Sequence, residues 1–192
     1  NYADILRSKS APTISIYLTT AELHAIEAVE LPEKLDQVRT KFLIGAFTGA
    51  RYSDFSRFVS ADISSGVLQY ISEKTKVHCK IPVHVRLPEL LAKYKGDVSN
   101  SVMNHCLPKI GEMAGINTMT TIVRGDKKEQ SFKYKYIKSH TARRTFATNL
   151  YKAGVGILEI SRMLGHKSVL TTQKYIGESG DEKMKKIAYF NN

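Results

Sequence analysis

The chain has 192 residues, of which 42% are hydrophobic and 24% are charged. This composition is typical of one folded domain with its own core. Large apolar side chains are not scarce, as they are in disordered proteins, so that class is excluded. The 29 Lys and Arg residues against 18 Asp and Glu residues give a formal net charge of +11, which favours nucleic acid as a partner ahead of an anionic membrane surface.

Two helices are predicted near the start of the chain. Residues 19–29 offer a Thr cap at Thr19 followed by apolar residues at helical spacing. After Pro32, a stripe of apolar residues from Leu35 to Ala46 recurs at spacings of three and four until Thr48 and Gly49 stop it. The second stripe therefore predicts a core helix that ends in a glycine turn.

The hydrophobic period changes between residues 59 and 83. Residues 67–71 are rich in strand-forming side chains, and residues 77–81 alternate between apolar and polar. Residues 64–66, with the sequence SSG, predict a turn before the first of these strands. The pattern predicts a small antiparallel sheet, with Glu73, Lys74 and Thr75 near the turn between its two strands.

A second hairpin and several helices are predicted in the rest of the chain. The hairpin pairs residues 118–123 with 132–137 and has the polar segment 125–130 as its loop. The helices are expected at 140–153, before Gly154, at 157–165, at 168–176, and in a tail at 181–190. The predicted fold class is therefore mainly α with a small antiparallel β-sheet (α+β).

The hydrophobicity, N-terminus and cysteines of the chain indicate its cellular location and its domain organisation. No apolar run approaches the roughly 20 residues that cross a bilayer, and the first four residues lack the segments of a secretory signal. We therefore expect a cytoplasmic protein. Because the chain begins with Asn1, we expect a further domain before it. Cys79 and Cys106 lie too far apart for a CxxC pair, and we expect reduced thiols that bind no metal.

Several polar residues have spacings that would allow them to bind an anion or react with it. His140 and Arg143 lie three positions apart on a predicted helix, which places both side chains on one side where they could grip one anion. Arg51 follows a glycine turn, and Asp54 lies three residues later, where it could orient the arginine. Tyr175 lies nine residues beyond His166.

These residues belong to four motifs that occur in the order of a known family. The motifs are TGARYSD at 48–54, HTARR at 140–144, LGH at 164–166 and TTQKYI at 171–176. Any one of them alone is weak, since a single tyrosine is usually structural and an HxxR pair arises often by chance. Together they resemble the tyrosine recombinases, also called phage integrases, over about residues 12–190, and especially integrases of bacterial mobile elements such as conjugative transposons.

The resemblance implies a catalytic set and a catalytic-domain fold over residues 1–192. The set is Arg51, Lys74, His140, Arg143, His166 and Tyr175, with Asp54 in support. The lysine of this family lies on a turn between two strands, which either Lys74 or Lys76 could provide. We favour Lys74 because it precedes a threonine, as family members often have it, and lies at the predicted tip.

The implied reaction is strand cleavage and rejoining by a tyrosine-type DNA strand transferase. Tyr175 attacks a backbone phosphate held by Arg51 and Arg143, with His140 favoured as the group that helps to remove the phenol proton. The product is a 3′-phosphotyrosyl intermediate, formed as Lys74 donates a proton to the leaving 5′-hydroxyl. We expect no metal and no ATP, and the sequence has neither a Walker motif nor a His or Cys cluster with metal spacing.

The resemblance also implies partners. They are double-stranded DNA, other protomers in a tetrameric synapse on DNA, and accessory DNA-bending proteins, in a nucleoid-associated setting without a membrane. Residues 1–11 are then a linker from an N-terminal DNA-binding domain, and residues 177–192 a tail helix that packs in cis or on a neighbouring protomer. Two alternatives stay open: a topoisomerase of type IB, and a DNA-binding protein of the same fold without chemistry.

Overall fold

The computed structural model describes residues 16–96, 98–124, 127–173 and 175–176. Its α-helices are α1 (Thr20–Ala28), α2 (Glu33–Thr48), α3 (Tyr52–Phe55), α4 (Leu87–Lys93), α5 (Asn100–Met113), α6 (Ser139–Lys152), α7 (Ile157–Met163) and α8 (Val169–Gln173). Its strands are β1 (Ile63–Ser64), β2 (Val67–Ile71), β3 (His78–Pro82), β4 (Met119–Arg124) and β5 (Lys127–Phe132), and short 3₁₀ helices cover Ser60–Asp62 and Lys133–Tyr136. In the described part of the chain, none of these helices has the length and apolar character that spanning a bilayer requires.

Helix α2 is the centre of the core. Its side chains are buried along most of its length, including Phe42 and Ile44, which have no exposed surface. It packs against α6 on one side and against α4 and α5 elsewhere. The apolar stripes of α2 and α6 therefore meet in the interior, and the end of α2 lies beside the middle of α6.

The two N-terminal helices and α6 confirm the predicted elements to within two residues. Helix α1 begins at a capping box in which the Thr19 hydroxyl accepts from the Glu22 N–H and the Glu22 carboxylate accepts from the Thr19 N–H. Helix α2 ends at Gly49, whose φ of 63° lies in the left-handed region. Local caps and turns thus fix the limits of the helices that carry the motifs.

The small sheet also confirms the prediction. Its strand order is β1-β2-β3, antiparallel throughout, with Tyr70 opposite Cys79 in the register. In β3, Cys79 and Ile81 are buried, while the residues between and beside them are exposed. The turn that contains Lys74 joins β2 to β3, and Thr75 in this turn contacts the Gly165 carbonyl just after α7.

The structure corrects two predicted boundaries. The second strand of the other hairpin was expected at residues 132–137 but lies at Lys127–Phe132, and the expected loop at 125–130 contributes most of it. Strand β5 is largely exposed, so its polar side chains stay in water while its backbone pairs with β4. The last predicted helix, 168–176, ends at Gln173, and Tyr175 lies in the turn that follows.

Two predicted segments lie outside the described residues, and three helices were not predicted. The two segments are the linker at residues 1–11 and the tail at 177–192. Helices α3, α4 and α5 received no prediction from the sequence. Both cysteines are free thiols, Cys79 buried and Cys106 half-buried.

Candidate active site

Four segments of the chain converge on one pocket of about 400 Å³. They are the turn after α2, the β2–β3 turn, the start of α6, and the region from the end of α7 through the turn after α8. All six predicted catalytic residues line the pocket: Arg51, Lys74, His140, Arg143, His166 and Tyr175. Residues separated by up to 124 positions in sequence are therefore neighbours in space.

Arg143 is held between two backbone carbonyls. Its Nη1 donates to the Gly49 carbonyl at 2.7 Å, and its Nη2 donates to the Leu164 carbonyl at 2.6 Å. The side chain is only 1% exposed. Gly49 is required here because of its positive φ and because a Cβ at this position would lie 2.3 Å from Phe146 Cδ1. The turn after α2 and the turn after α7 thus clamp the same guanidinium.

The pKa of Arg143 depends on its burial and on its charged neighbours. Burial lowers the pKa of Arg143, the charge of Arg51 lowers it further, and Tyr175 opposes the shift. An arginine stays protonated at neutral pH because its ordinary pKa lies far above 7. Its Nε has no hydrogen-bond partner among the described residues. The pocket therefore has a buried, fixed positive charge with a donor still unused.

Arg51 is oriented through a serine. Its Nη1 donates to Ser72 Oγ at 3.0 Å, and Ser72 Oγ donates to Asp54 Oδ2 at 3.1 Å. The other Asp54 oxygen accepts from the Glu73 N–H at 2.8 Å. Asp54 was expected to orient Arg51, and the structure routes this link through Ser72. The same carboxylate also holds the start of the turn that carries Lys74.

The structure distinguishes the two candidate lysines by position. Lys74 lines the pocket, whereas Lys76 is absent from its lining and has a φ of 57° at the end of the turn. Thr75 Oγ1 donates to the Gly165 carbonyl at 3.1 Å and so fastens the turn to the loop before His166. A Cβ at Gly165 would lie 2.6 Å from Cys79 Sγ. Lys74 therefore remains the candidate.

His166 bridges Arg143 and Thr172. Its Nε2 lies 2.7 Å from Arg143 Nη2, and its Nδ1 lies 2.9 Å from Thr172 Oγ1. Burial first, and then the charges of Arg143 and Arg51, lower the pKa of His166 to about 3. The imidazole is therefore neutral at pH 7.

Tyr175 lies between two imidazoles and beside two guanidinium groups. Its ring centroid is 5.1 Å from that of His140 and 5.2 Å from that of His166. The guanidinium carbons of Arg143 and Arg144 lie 5.7 Å and 5.0 Å from the same centroid, within the range of cation–π contacts. These four neighbours hold the phenol in the pocket.

His140 stands at the mouth of the pocket. The residue is exposed to solvent, but desolvation of its imidazole and then the charges of the neighbouring arginines, Arg144 first, lower the pKa of His140 to about 4. It is therefore also neutral at pH 7 and can accept a proton. In the described residues, no group of three or more His, Cys, Asp or Glu side chains gathers as metal ligands would.

The chain is similar to known proteins over most of its length. The model of the phage integrase family matches residues 17–181. The chain belongs to that family. A tyrosine recombinase XerC of Syntrophus aciditrophicus (strain SB) is 26% identical over 196 residues, which cover 93% of this chain and 63% of the relative. The integrase domain thus spans less than two thirds of that relative.

Solved structures share the fold of this integrase domain. The XerH site-specific recombinase bound to palindromic difH substrate, in a post-cleavage complex, matches 95% of this chain and 55% of that chain, with a TM-score of 0.68 at 17% identity. The Tn1549 transposon integrase in complex with transposon right end DNA matches 98% of this chain and 70% of that chain, with a TM-score of 0.62 at 15% identity. The predicted α+β fold and the family resemblance are confirmed.

Sequence reasoning missed three side chains of the integrase site. Ser72 links Asp54 to Arg51, Arg144 lies over the Tyr175 ring, and Thr172 contacts His166. Arg144 and Thr172 stand inside motifs that the sequence analysis quoted without giving these residues a role. Ser72 lies outside the motifs, and its contact with Arg51 depends on how the sheet packs against the turn after α2.

Proposed function

We propose that this integrase domain cleaves and rejoins DNA strands with Tyr175 as its nucleophile. The observation that carries the proposal is the convergence of Arg51, Arg143, two neutral histidines and Tyr175 on one pocket. A pocket with a tyrosine, neutral imidazoles and fixed guanidinium groups suits the attack of a phenol on a phosphodiester. The domain then acts as a site-specific recombinase or integrase.

The two arginines would hold the phosphate. The transition state of phosphodiester cleavage gathers negative charge on its non-bridging oxygens, which guanidinium groups bind through several donors in one plane. Arg51 is half-buried and reachable from the pocket, whereas Arg143 is 1% exposed. A phosphate that contacts Arg143 must therefore displace the side chains that cover it, and the unpartnered Nε supports such a contact.

The protonation states of the side chains determine which groups accept and donate protons. The Tyr175 oxygen forms a bond to phosphorus, and its proton passes to His140, which is neutral and adjacent. The bond from phosphorus to the 5′-oxygen breaks, and Lys74 gives that oxygen a proton. His166 contributes a hydrogen bond and not a proton. Attack by the 5′-hydroxyl of another strand on the 3′-phosphotyrosine reverses these steps and exchanges strands.

Such a reaction needs neither ATP nor a divalent cation. The phosphotyrosine retains the energy of the broken bond, and the two arginines supply the positive charge that a metal would otherwise provide. Double-stranded DNA is the proposed substrate, which the net charge of +11 and the solved complex of the Tn1549 integrase with DNA support. Other protomers in a tetrameric synapse and accessory DNA-bending proteins are the proposed partners.

A covalent adduct tests the proposal. The protein is incubated with nicked duplexes of random sequence around the nick, so that the short fragment diffuses away after cleavage and the adduct accumulates. Denaturing electrophoresis and sequencing identify the DNA that becomes attached. We expect an adduct with the wild type and none with Tyr175→Phe. An adduct with Tyr175→Phe, or DNA binding without any adduct from the wild type, would contradict the proposal.

A sulfur substitution tests Lys74 with Lys76 as its matched control. A 5′-bridging thiolate leaves without a proton, because a thiol has a pKa far below that of an alcohol. We expect Lys74→Ala to cleave the sulfur substrate but not the normal one, and Lys76→Ala to cleave both. The reverse pattern would assign the role to Lys76. Relaxation of a supercoiled plasmid without recombinants would instead indicate a topoisomerase.

A further inference from the structure

Thr172 contacts both His166 and the backbone of the proposed nucleophile. Its hydroxyl lies 2.9 Å from His166 Nδ1. Its carbonyl accepts from the Tyr175 N–H at 2.9 Å and from the Ile176 N–H at 3.1 Å. The residue has no exposed surface, so water does not compete for these contacts. One buried residue therefore holds a histidine with its side chain and the turn of Tyr175 with its backbone.

The hydrogen-bond partners of His166 determine where its proton lies. Arginine only donates, so the His166 Nε2 that faces Arg143 Nη2 at 2.7 Å must be the acceptor. A neutral imidazole with an unprotonated Nε2 carries its proton on Nδ1, and Nδ1 faces Thr172. The Nδ1–H therefore donates to Thr172 Oγ1, which is able to accept.

We propose that Thr172 is a positioning residue: its hydroxyl accepts from His166 Nδ1–H and so stabilises, together with Arg143, the tautomer whose Nε2 accepts from Arg143. This inference rests on the proposed function of the pocket. Its consequence is a division of labour between the histidines: His166 orients a phosphate-binding guanidinium, and His140 takes the phenol proton. Because the same threonine anchors the turn of Tyr175, the nucleophile and the phosphate site keep a fixed relation.

The hydroxyl is suited to this role because it carries no charge. A histidine ring is often oriented by a carboxylate, which favours the protonated imidazolium. A carboxylate at this position would also place a negative charge within reach of a bound phosphate. Thr172 orients the ring of His166 without either effect, and the ring accepts from Arg143 in its neutral form.

Two substitutions separate the hydroxyl from the shape of the side chain. Thr172→Val replaces the hydroxyl with a methyl group of similar size, and Thr172→Ser keeps the hydroxyl. The tautomer of His166 is read from the ¹⁵N chemical shifts of its ring in the chain without DNA. We expect the proton on Nδ1 in the wild type and in Thr172→Ser, and a shift toward the Nε2–H tautomer in Thr172→Val.

The rate of adduct formation provides the second measurement. Loss of a side chain that orients a metal-ligating histidine typically lowers activity about 10–100-fold, and by analogy we expect a loss of about this size in Thr172→Val and recovery in Thr172→Ser. Circular dichroism checks that each variant is folded, and Thr172→Ala replaces the valine variant if that protein does not fold.

The two measurements keep this inference separate from the proposed function. If the wild type forms no adduct, the proposed function fails while the ring shifts still test the role of Thr172. If the wild type forms the adduct but Thr172→Val keeps the Nδ1–H tautomer or the full rate, the inference about Thr172 is wrong.

Discussion

Replacing Gly49 with alanine should destabilise the domain for two reasons that can be separated. The φ of 63° costs an L-residue about 1–2 kcal/mol. The new methyl group would lie 2.3 Å from Phe146 Cδ1 and 2.9 Å from Leu164 Cδ2, and overpacking of this kind costs about 1–3 kcal/mol. We therefore expect Gly49→Ala to lower the free energy of unfolding by about 2–5 kcal/mol.

Gly115→Ala is the matched control. Gly115 has a φ of 72°, but a Cβ there would meet nothing within 4 Å. Its replacement should therefore cost only the backbone strain, about 1–2 kcal/mol. Urea unfolding at pH 7 measures both variants, and the difference between them isolates the overlap with Phe146. Equal losses for the two variants would refute the close packing around Gly49.

The same substitution should also slow adduct formation. The Gly49 carbonyl accepts from Arg143 Nη1, so displacement of the turn would move the guanidinium. Gly115→Ala leaves this contact alone and should react at the wild-type rate under conditions where both proteins are folded. A wild-type rate for Gly49→Ala would show that the placement of Arg143 does not depend on this turn.

Two further predictions concern the charged groups of the pocket. An ammonium cannot reproduce the hydrogen bonds of Arg143 to the Gly49 and Leu164 carbonyls, so Arg143→Lys should lower the free energy of unfolding by about 3–6 kcal/mol for two lost charged hydrogen bonds. Arg51→Lys loses one half-exposed contact and should cost less than half as much in the same urea assay, although both variants should lose adduct formation. The folded pKa values of about 4 for His140 and about 3 for His166 lie below the ordinary value of 6.5. Between the folded values and pH 6.5, the unfolded chain therefore binds more protons than the folded chain. The free energy of unfolding should fall as the pH decreases below 6.5. Titration of the histidine Cε1–H resonances checks this expectation, and midpoints near 6.5 for both residues would contradict it.

Much of the fold could be predicted because its signals are local. The Thr19 cap, the apolar stripe of α2 and the glycine at its end each determine structure within a few residues. Strand β5 was misplaced because its polar side chains remain in water on an exposed ribbon, where apolar alternation is not needed. Pattern recognition therefore works best for elements that bury one face.

The sequence named residues that the structure brings to one pocket, but it did not indicate the contacts between them. Family motifs identified Arg51 and Arg143, and the pocket brings both together. No local pattern indicates that Ser72 mediates between Asp54 and Arg51, or that Thr172 accepts from His166. Such contacts arise from tertiary packing between segments that sequence spacing does not relate.

The two carbonyls that hold Arg143 come from segments that are synthesised at different times. The hydrogen bond between Arg143 and the Gly49 carbonyl joins residues 94 positions apart, and the bond between Thr75 and the Gly165 carbonyl joins residues 90 positions apart. The entropy of closing such long loops has to be overcome before either contact forms. A nascent chain acquires the Leu164 carbonyl that holds Arg143, and Tyr175 itself, only when the C-terminal segments are in place. On the proposed function, an incomplete chain lacks the nucleophile and the full set of contacts that position Arg143.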